Sequence, residues 1–361
     1  MSVGAKLERL RRMFSKRDLD GMLVSADENR RYLSGFTGSA GYLVISGNYA
    51  VLGTDFRYAE QAGNQSPEYR IERLAGGSDW LPKLASEMGI SRIGFESQDL
   101  TVHTHAAFQK AIEGAGNGGL TMVETSDMVD GMRAIKYEEE MDLLARAVEI
   151  TDEALEEVTD SLEVGATERE VAWELEKAMR ERGAEALAFD TIVAAGPNGA
   201  LPHHSPSDRA IGEGEPVVID MGARYRGYCA DLTRTVLVGE PDETFRRVYG
   251  TVLRAQLEAE ERVRSGMTGA EVDAIARDVI AEAGYGDNFG HSLGHGVGLA
   301  VHELPWVSQR GEEPLEDGMM FTIEPGIYLS DWGGVRIEDV VVLEDGRARV
   351  ISKARKLDLG E

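Results

Sequence analysis

The chain has 361 residues, 42% apolar and 7% aromatic, with 64 acidic against 38 basic residues and a net charge of −26. That length suits two domains and a substantial core, while so acidic a surface is repelled by phosphate and argues against a nucleic-acid partner. No apolar run approaches the roughly 18–20 residues of a membrane span, so no membrane partner is expected. Cys229, the single cysteine, excludes an internal disulfide, and a reducing cytoplasm fits. Only 8 of the basic residues are Lys. The acidity with that shortage reads as adaptation to a salt-rich cytoplasm, where screening quenches self-repulsion, over an ordinary acidic protein.

Residues 1–18 are charged, lack an apolar secretory core and read as an amphipathic helix. DGMLVSA (20–26) reads as a short buried strand, and GYLVISGNYAVLGTD (41–55) as a hairpin around Ser46-Gly47-Asn48. Helical and strand-like segments alternate to about residue 125, which predicts an α/β (α+β) N-terminal domain over 1–128. In the following stretch Met141, Leu144, Val148 and Leu155 recur at helical spacing, which opens a second domain over 129–361.

The second domain repeats a frame, G-x-T-x-x-E-V. Gly165, Thr167, Glu170 and Val171 recur as Gly266, Thr268, Glu271 and Val272 at a constant offset of 101. The frame predicts a capping box: the Thr hydroxyl accepts from a first-turn N–H, and the Glu reaches back to the Thr amide. Two in register, each followed by an amphipathic helix, predict a duplicated half-domain. Each half ends in a hairpin, at 215–239 and 319–346.

Acids interrupt those apolar strands. Asp220 breaks VVIDMG and Asp231 lies in ADLTRTV; Glu324 lies in FTIEPG and Glu338 in VRIEDVV. A turn at Tyr225-Arg226 would set Asp220 opposite Asp231, and a turn centred on Asp331 would set Glu324 opposite Glu338, each pair about 5 Å apart at Cβ. Desolvated like charges are costly without a cation between them, so a metal site is expected. Four carboxylates balance two divalent ions, which carboxylates can bridge. The oxygen-rich donor set favours Mn²⁺, with Co²⁺, Fe²⁺ and Zn²⁺ as alternatives.

Five of the seven histidines fall in two groups, His203-His204 and His291, His295 and His302. H-E-x-x-H is absent, and glycines around 286–298 argue against a helix there. An extended, close-packed segment is expected, with one imidazole ligating metal and the others facing substrate.

The ordered set D-x10-D, H, E, E resembles the dinuclear-metal peptidases of the pita-bread fold, which include methionine aminopeptidase, aminopeptidase P and prolidase. ALPHH, VVIDMGARYRGYCADLTRT, GHSLGHGVGLAVHE, FTIEPGIY and GGVRIEDVV look like the Xaa-Pro branch, as do NRRYLSGFTGSAGYLV (29–44) and TDFRYAEQA (54–62) in the N-terminal domain. The resemblance implies a creatinase/prolidase-like α/β domain followed by a pseudo-symmetric pita-bread catalytic domain. By it, Asp220, Asp231, His295, Glu324 and Glu338 are the metal ligands, and His203 matches a catalytic-pocket histidine. His302 matches the one that contacts substrate and the tetrahedral intermediate, and His291 a further pocket histidine. It also implies a homodimer and a small peptide substrate with proline second. His204 departs from the more usual Gly or Tyr, and Ala300 stands where prolidases often carry an acid.

The expected chemistry is hydrolysis of the Xaa-Pro bond in a dipeptide or at a peptide N-terminus by a hydroxide bridging two ions. Glu324 is the expected proton shuttle, with His302 or His203 at the oxyanion. Arg336, two residues from Glu338 on one strand face, is expected at the substrate pocket, orienting that ligand. The alternatives are another C–N hydrolase on the same fold acting on a small non-peptide amide, and a non-catalytic binding protein.

Overall fold

A computed structural model describes residues 1–116 and 119–359, which form two compact units, Met1–Arg133 and Ala134–Glu361. No helix among the described residues is long and apolar enough to cross a membrane.

The first unit is a six-stranded mixed sheet. Its strands are β1 (Gly21–Val24), β2 (Tyr42–Ser46), β3 (Ala50–Thr54), β4 (Arg70–Arg73), β5 (Arg92–Glu96) and β6 (Thr121–Thr125), in the order β4-β3-β2-β1-β5-β6. β2 and β3 form the expected hairpin, with Ile45 facing Ala50 across the turn. Leu23, Val44 and Val51 on the sheet pack with Leu81, Leu84 and Phe108 from the helices Trp80–Glu87 and Val102–Gly114. The N-terminal helix runs Val3–Phe14, and its Ser2 side chain accepts from Ala5 N.

The second unit is built twice over. A long helix, Glu138–Asp160, precedes a shorter one, Glu168–Glu181, and then a three-stranded antiparallel sheet of Ile192–Ala195, Pro216–Met221 and Leu232–Leu237. The pattern returns as helices Glu243–Arg262 and Gly269–Glu282 with a five-stranded sheet, ordered Glu303–Val307, Gly294–Gly296, Met320–Ile323, Asp339–Glu344, Arg347–Val350. Both shorter helices start with the capping box the repeat predicts. Glu170 N donates to Thr167 Oγ1 and Thr167 N to Glu170 Oε2; Glu271 N and Thr268 N make the same exchange.

In each half the helices lay an apolar face on a sheet. Leu155, Val171 and Leu175 meet Val193, Val217 and Ile219; Phe245, Val252 and Val272 meet Phe321, Ile323 and Val341. Each such fully buried side chain contributes about 1.5–3 kcal/mol. Of the helical positions expected, Leu144, Val148 and Leu155 are buried and Met141 is half-buried.

The halves join along their hairpins. Glu338 N donates to Thr233 O, while Thr235 Oγ1 accepts from Arg336 N and donates to Arg336 O. Beside that junction two glycines pass backbone to backbone: a Cβ on Gly334 would overlap the Gly199 carbonyl. This seam brings the second hairpin against the first and sets the carboxylates of both on one floor.

Candidate active site

Hairpin register decides where the acids stand. In the second hairpin Gly326 faces Arg336 and Ile323 faces Asp339. That register sets Glu324 against Glu338 across a turn at Asp331, as the sequence predicts. In the first hairpin the turn is Arg226-Gly227, both at positive φ, and Tyr225 faces Tyr228. Asp220 therefore faces Thr233, not Asp231. The two aspartates are diagonal neighbours, still on one face because a shift of two residues preserves the pleat.

The expected ligands converge. Donor atoms of Asp220, Asp231 and Glu338 lie within 4.8 Å of one another, as do those of His295, Glu324 and Glu338, and those of Asp231, His295 and His302. His295 Nε2 is 3.2 Å from Glu324 Oε1 and 3.6 Å from Asp231 Oδ2, while its Nδ1 lies 3.2 Å from Gly296 O. With the proton on Nδ1 committed to that carbonyl, Nε2 is the nitrogen aimed at the carboxylates, the tautomer a metal ligand needs.

The glycines explain how His295 arrives. A Cβ on Gly294 would overlap the Thr322 carbonyl, and one on Gly296 the Leu304 carbonyl. The His295 strand is thus pressed between two others, extended as expected. Gly298 clears the Glu303 carboxylate, but a Cβ on Gly290 would meet nothing within 4 Å among the described residues, and no close approach explains that glycine.

Electrostatics test whether these residues fit a cation. Burial, then the charges of Glu338, Asp220 and Glu324, pushes Asp231 well above the usual carboxylate range. Glu338 is raised by burial and by Glu324 and Asp220; Asp220 is raised by burial, with Arg336 opposing. Burial also opposes ionisation of Glu324, but His295 outweighs it and holds Glu324 at about 2. Asp220 Oδ1 and Glu338 Oε1 are buried with no hydrogen-bond partner. Buried orphan oxygens in a ring of like charge are what hard divalent ions satisfy.

Arg336 reaches the Glu338 carboxylate through Thr233. Its Nη2 donates to Asp220 Oδ2 (2.6 Å), its Nε to Thr233 Oγ1 (3.0 Å) and its Nη1 to Tyr328 OH (2.8 Å). Thr233 in turn donates to Glu338 Oε2 at 2.7 Å, so Arg336 fixes Asp220 directly and Glu338 through a hydroxyl. His291 is also committed: Nδ1 lies 2.8 Å from Ser292 O and Nε2 2.9 Å from Tyr328 OH. Both nitrogens are bonded within the protein, so His291 supports Tyr328 while also lining the pocket. Burial holds it below the usual histidine range.

The carboxylate floor opens into a cavity of 510 Å³ walled by Phe189, Ile192, Pro202, Trp306, His203 and His302. That volume suits a small molecule. His203 and His302 are exposed, and the His302 ring meets His295 edge-on at 4.2 Å. Burial and the neighbouring His295 depress His302.

Sequence reasoning missed Thr233, Tyr328, Glu168 and the buried pair Lys136–Glu303 (3.0 Å). Period-two alternation puts Thr233 on the face of Asp231 and Tyr328 on that of Glu324, a usable signal for those two.

The profile of metallopeptidase family M24 matches residues 142–345, and that of the creatinase/prolidase N-terminal domain matches 6–135. The Xaa-Pro dipeptidase of Pyrococcus horikoshii is 40% identical over 357 residues, covering 98% of this chain and 99% of the relative. Among solved structures, the Xaa-Pro dipeptidase from Bacillus anthracis superposes with a TM-score of 0.94 at 42% identity, covering 99% of each chain. The X-Pro aminopeptidase from Thermotoga maritima does so at 0.85 and 39%, covering 95% of this chain and 98% of that one.

Proposed function

The chain belongs to metallopeptidase family M24, and from that premise we propose that it hydrolyses the bond between an amino acid and a following proline, in dipeptides or at peptide N-termini. Two divalent ions, manganese by preference, would be held by Asp220, Asp231, His295, Glu324 and Glu338. The observation that carries this reading is the pair of partnerless buried oxygens, Asp220 Oδ1 and Glu338 Oε1, inside a cage whose charges repel one another. Substrate class follows the relatives, dipeptidases and an aminopeptidase that act on Xaa-Pro.

Bound metal supplies Lewis acidity and a nucleophile from water at neutral pH. The chain's own residues do the rest. Glu324, ionised and at the floor of the pocket, takes up a proton and hands it to the leaving imino nitrogen. His302 or His203 on the open wall donates to the developing oxyanion. Arg336, tied to Asp220, Thr233 and Tyr328, keeps the cage in register. The proline amide has no N–H to offer, and the apolar wall of Phe189, Ile192, Pro202 and Trp306 supports recognition of its ring.

The protein would work as a homodimer in the cytoplasm, and we read its acidity as adaptation to high salt. The test is hydrolysis of Ala-Pro and Ala-Pro-Ala after Mn²⁺ loading and after chelation. Hydrolysis of Ala-Pro alone assigns a dipeptidase, and cleavage of the tripeptide an aminopeptidase. Turnover that survives complete chelation, or that appears only on non-proline amides, overturns the proposal.

A further inference from the structure

Glu168 has no part in the metal cage, yet it is fully buried and its carboxylate takes five hydrogen bonds. Oε1 accepts from Ala195 N (2.8 Å) and Asn198 Nδ2 (2.9 Å). Oε2 accepts from Ser207 N (3.0 Å) and Ser207 Oγ (2.6 Å), and lies 2.9 Å from His204 Nε2. One side chain thus ties the start of segment 195–207 to its end. Asn198 and His204 are bound between, and the exposed histidine it presents to the pocket is His203. An ionised carboxylate only accepts, so His204 must carry its proton on Nε2. Burial opposes the charge on Glu168, but these hydrogen bonds outweigh it and hold the carboxyl below its usual range. Glu168 opens the helix Glu168–Glu181, where negative charge is favoured. The first amides of that helix close on the end of the segment and just beyond it, Arg169 N on Ser207 O and Glu168 N on Arg209 O.

We propose that Glu168 and His204 are positioning residues for His203: together they clamp segment 195–207 so that His203 is held at the pocket mouth. The inference rests on the peptidase reading above. His204, where Gly or Tyr is more usual, acts through its Nε2 donor to Glu168.

The test uses the full-length, Mn²⁺-loaded enzyme, with kinetics on Ala-Pro and thermal unfolding of every variant. Glu168→Gln and His204→Phe are expected to lower kcat/KM by about 10- to 100-fold, the scale of a misplaced group. His204→Gln, which keeps a donor, restores most of that loss. In a His203→Ala background the same two substitutions cost less than about twofold more, because a residue that acts only through His203 has nothing left to act on. Amide exchange across 195–207 is expected to rise in Glu168→Gln and His204→Phe while helix Glu243–Arg262 stays protected. This readout needs no substrate, so it decides the clamp even if wild-type enzyme cleaves no Xaa-Pro peptide, the result that sinks the peptidase reading instead. If Glu168→Gln does not fold, the His204 pair carries the test alone. The clamp is overturned by undiminished effects in the His203→Ala background, by His204→Gln performing no better than His204→Phe, or by unchanged exchange across the segment.

Discussion

Lys136 and Glu303 face each other out of reach of water, their side chains 1% and 4% exposed. Lys136 also donates to Ala134 O, and Glu303 Oε2 accepts from Ala300 N. Glu303 follows His302 directly, so the pair anchors the segment that carries a pocket histidine. Removing one partner strands the other charge: Lys136→Met is expected to cost about 3–5 kcal/mol in urea unfolding, and the double substitution Lys136→Met with Glu303→Leu to recover much of it. A single variant within about 1 kcal/mol of wild type contradicts that account. Such residues were hard to read in advance. Asp220, Asp231, Glu324 and Glu338 stand out because each breaks an apolar strand, and His295 because glycines crowd it. Lys136 and Glu168 sit in ordinary polar surroundings along the chain. Their importance comes from partners 167 positions away for Lys136 and 27 to 39 for Glu168, and no local pattern encodes a contact at that range.

Among the elements, the two hairpins show what alternation can and cannot tell. It placed all four acids on the right face, since period two is a property of the strand alone. Register depends on the turn. Asp331, at positive φ, centres the second hairpin where it was expected, but in the first the Arg226-Gly227 pair forms the turn one residue later, and Asp220 meets Thr233. The strand Asp339–Glu344 adds an element-level charge device. Asp339 holds Arg234 Nη2 and Lys356 Nζ, each at 2.6 Å, tying the C-terminal tail beside Glu338. Glu260 lies 3.6 Å from Lys356, and burial with the Asp339 charge raises it to about 8. Because the folded chain holds this proton more tightly than the unfolded chain does, the stabilisation is complete below the unfolded value near 4.5 and is lost as pH climbs through about 8. Glu260→Gln removes the titration. Its melting temperature is expected to gain on wild type steadily from about pH 5 to about pH 9, and a constant difference across that range contradicts the assignment.

At the scale of the molecule, 26 excess negative charges repel one another in dilute buffer. Screening shortens from about 10 Å at 0.1 M salt to about 3 Å at 1 M. The melting temperature should therefore rise between those concentrations of KCl, and a flat or falling curve removes the salt-adapted reading. The architecture was legible at this scale too: the repeated capping box announced two halves, and the acids in apolar strands marked the cluster they form. The junction of the halves was not, because its closest crossing is made of main chain. Where Gly199 and Gly334 cross, neither partner has a side chain to lengthen, shorten or recharge. Such a crossing behaves as a rivet rather than a hinge: the strip bearing His203 and the ribbon bearing Arg336 must travel together or stay still. Tuning of this enzyme toward new peptides is thereby steered away from the weld and onto the cavity wall, where Trp306 stands exposed.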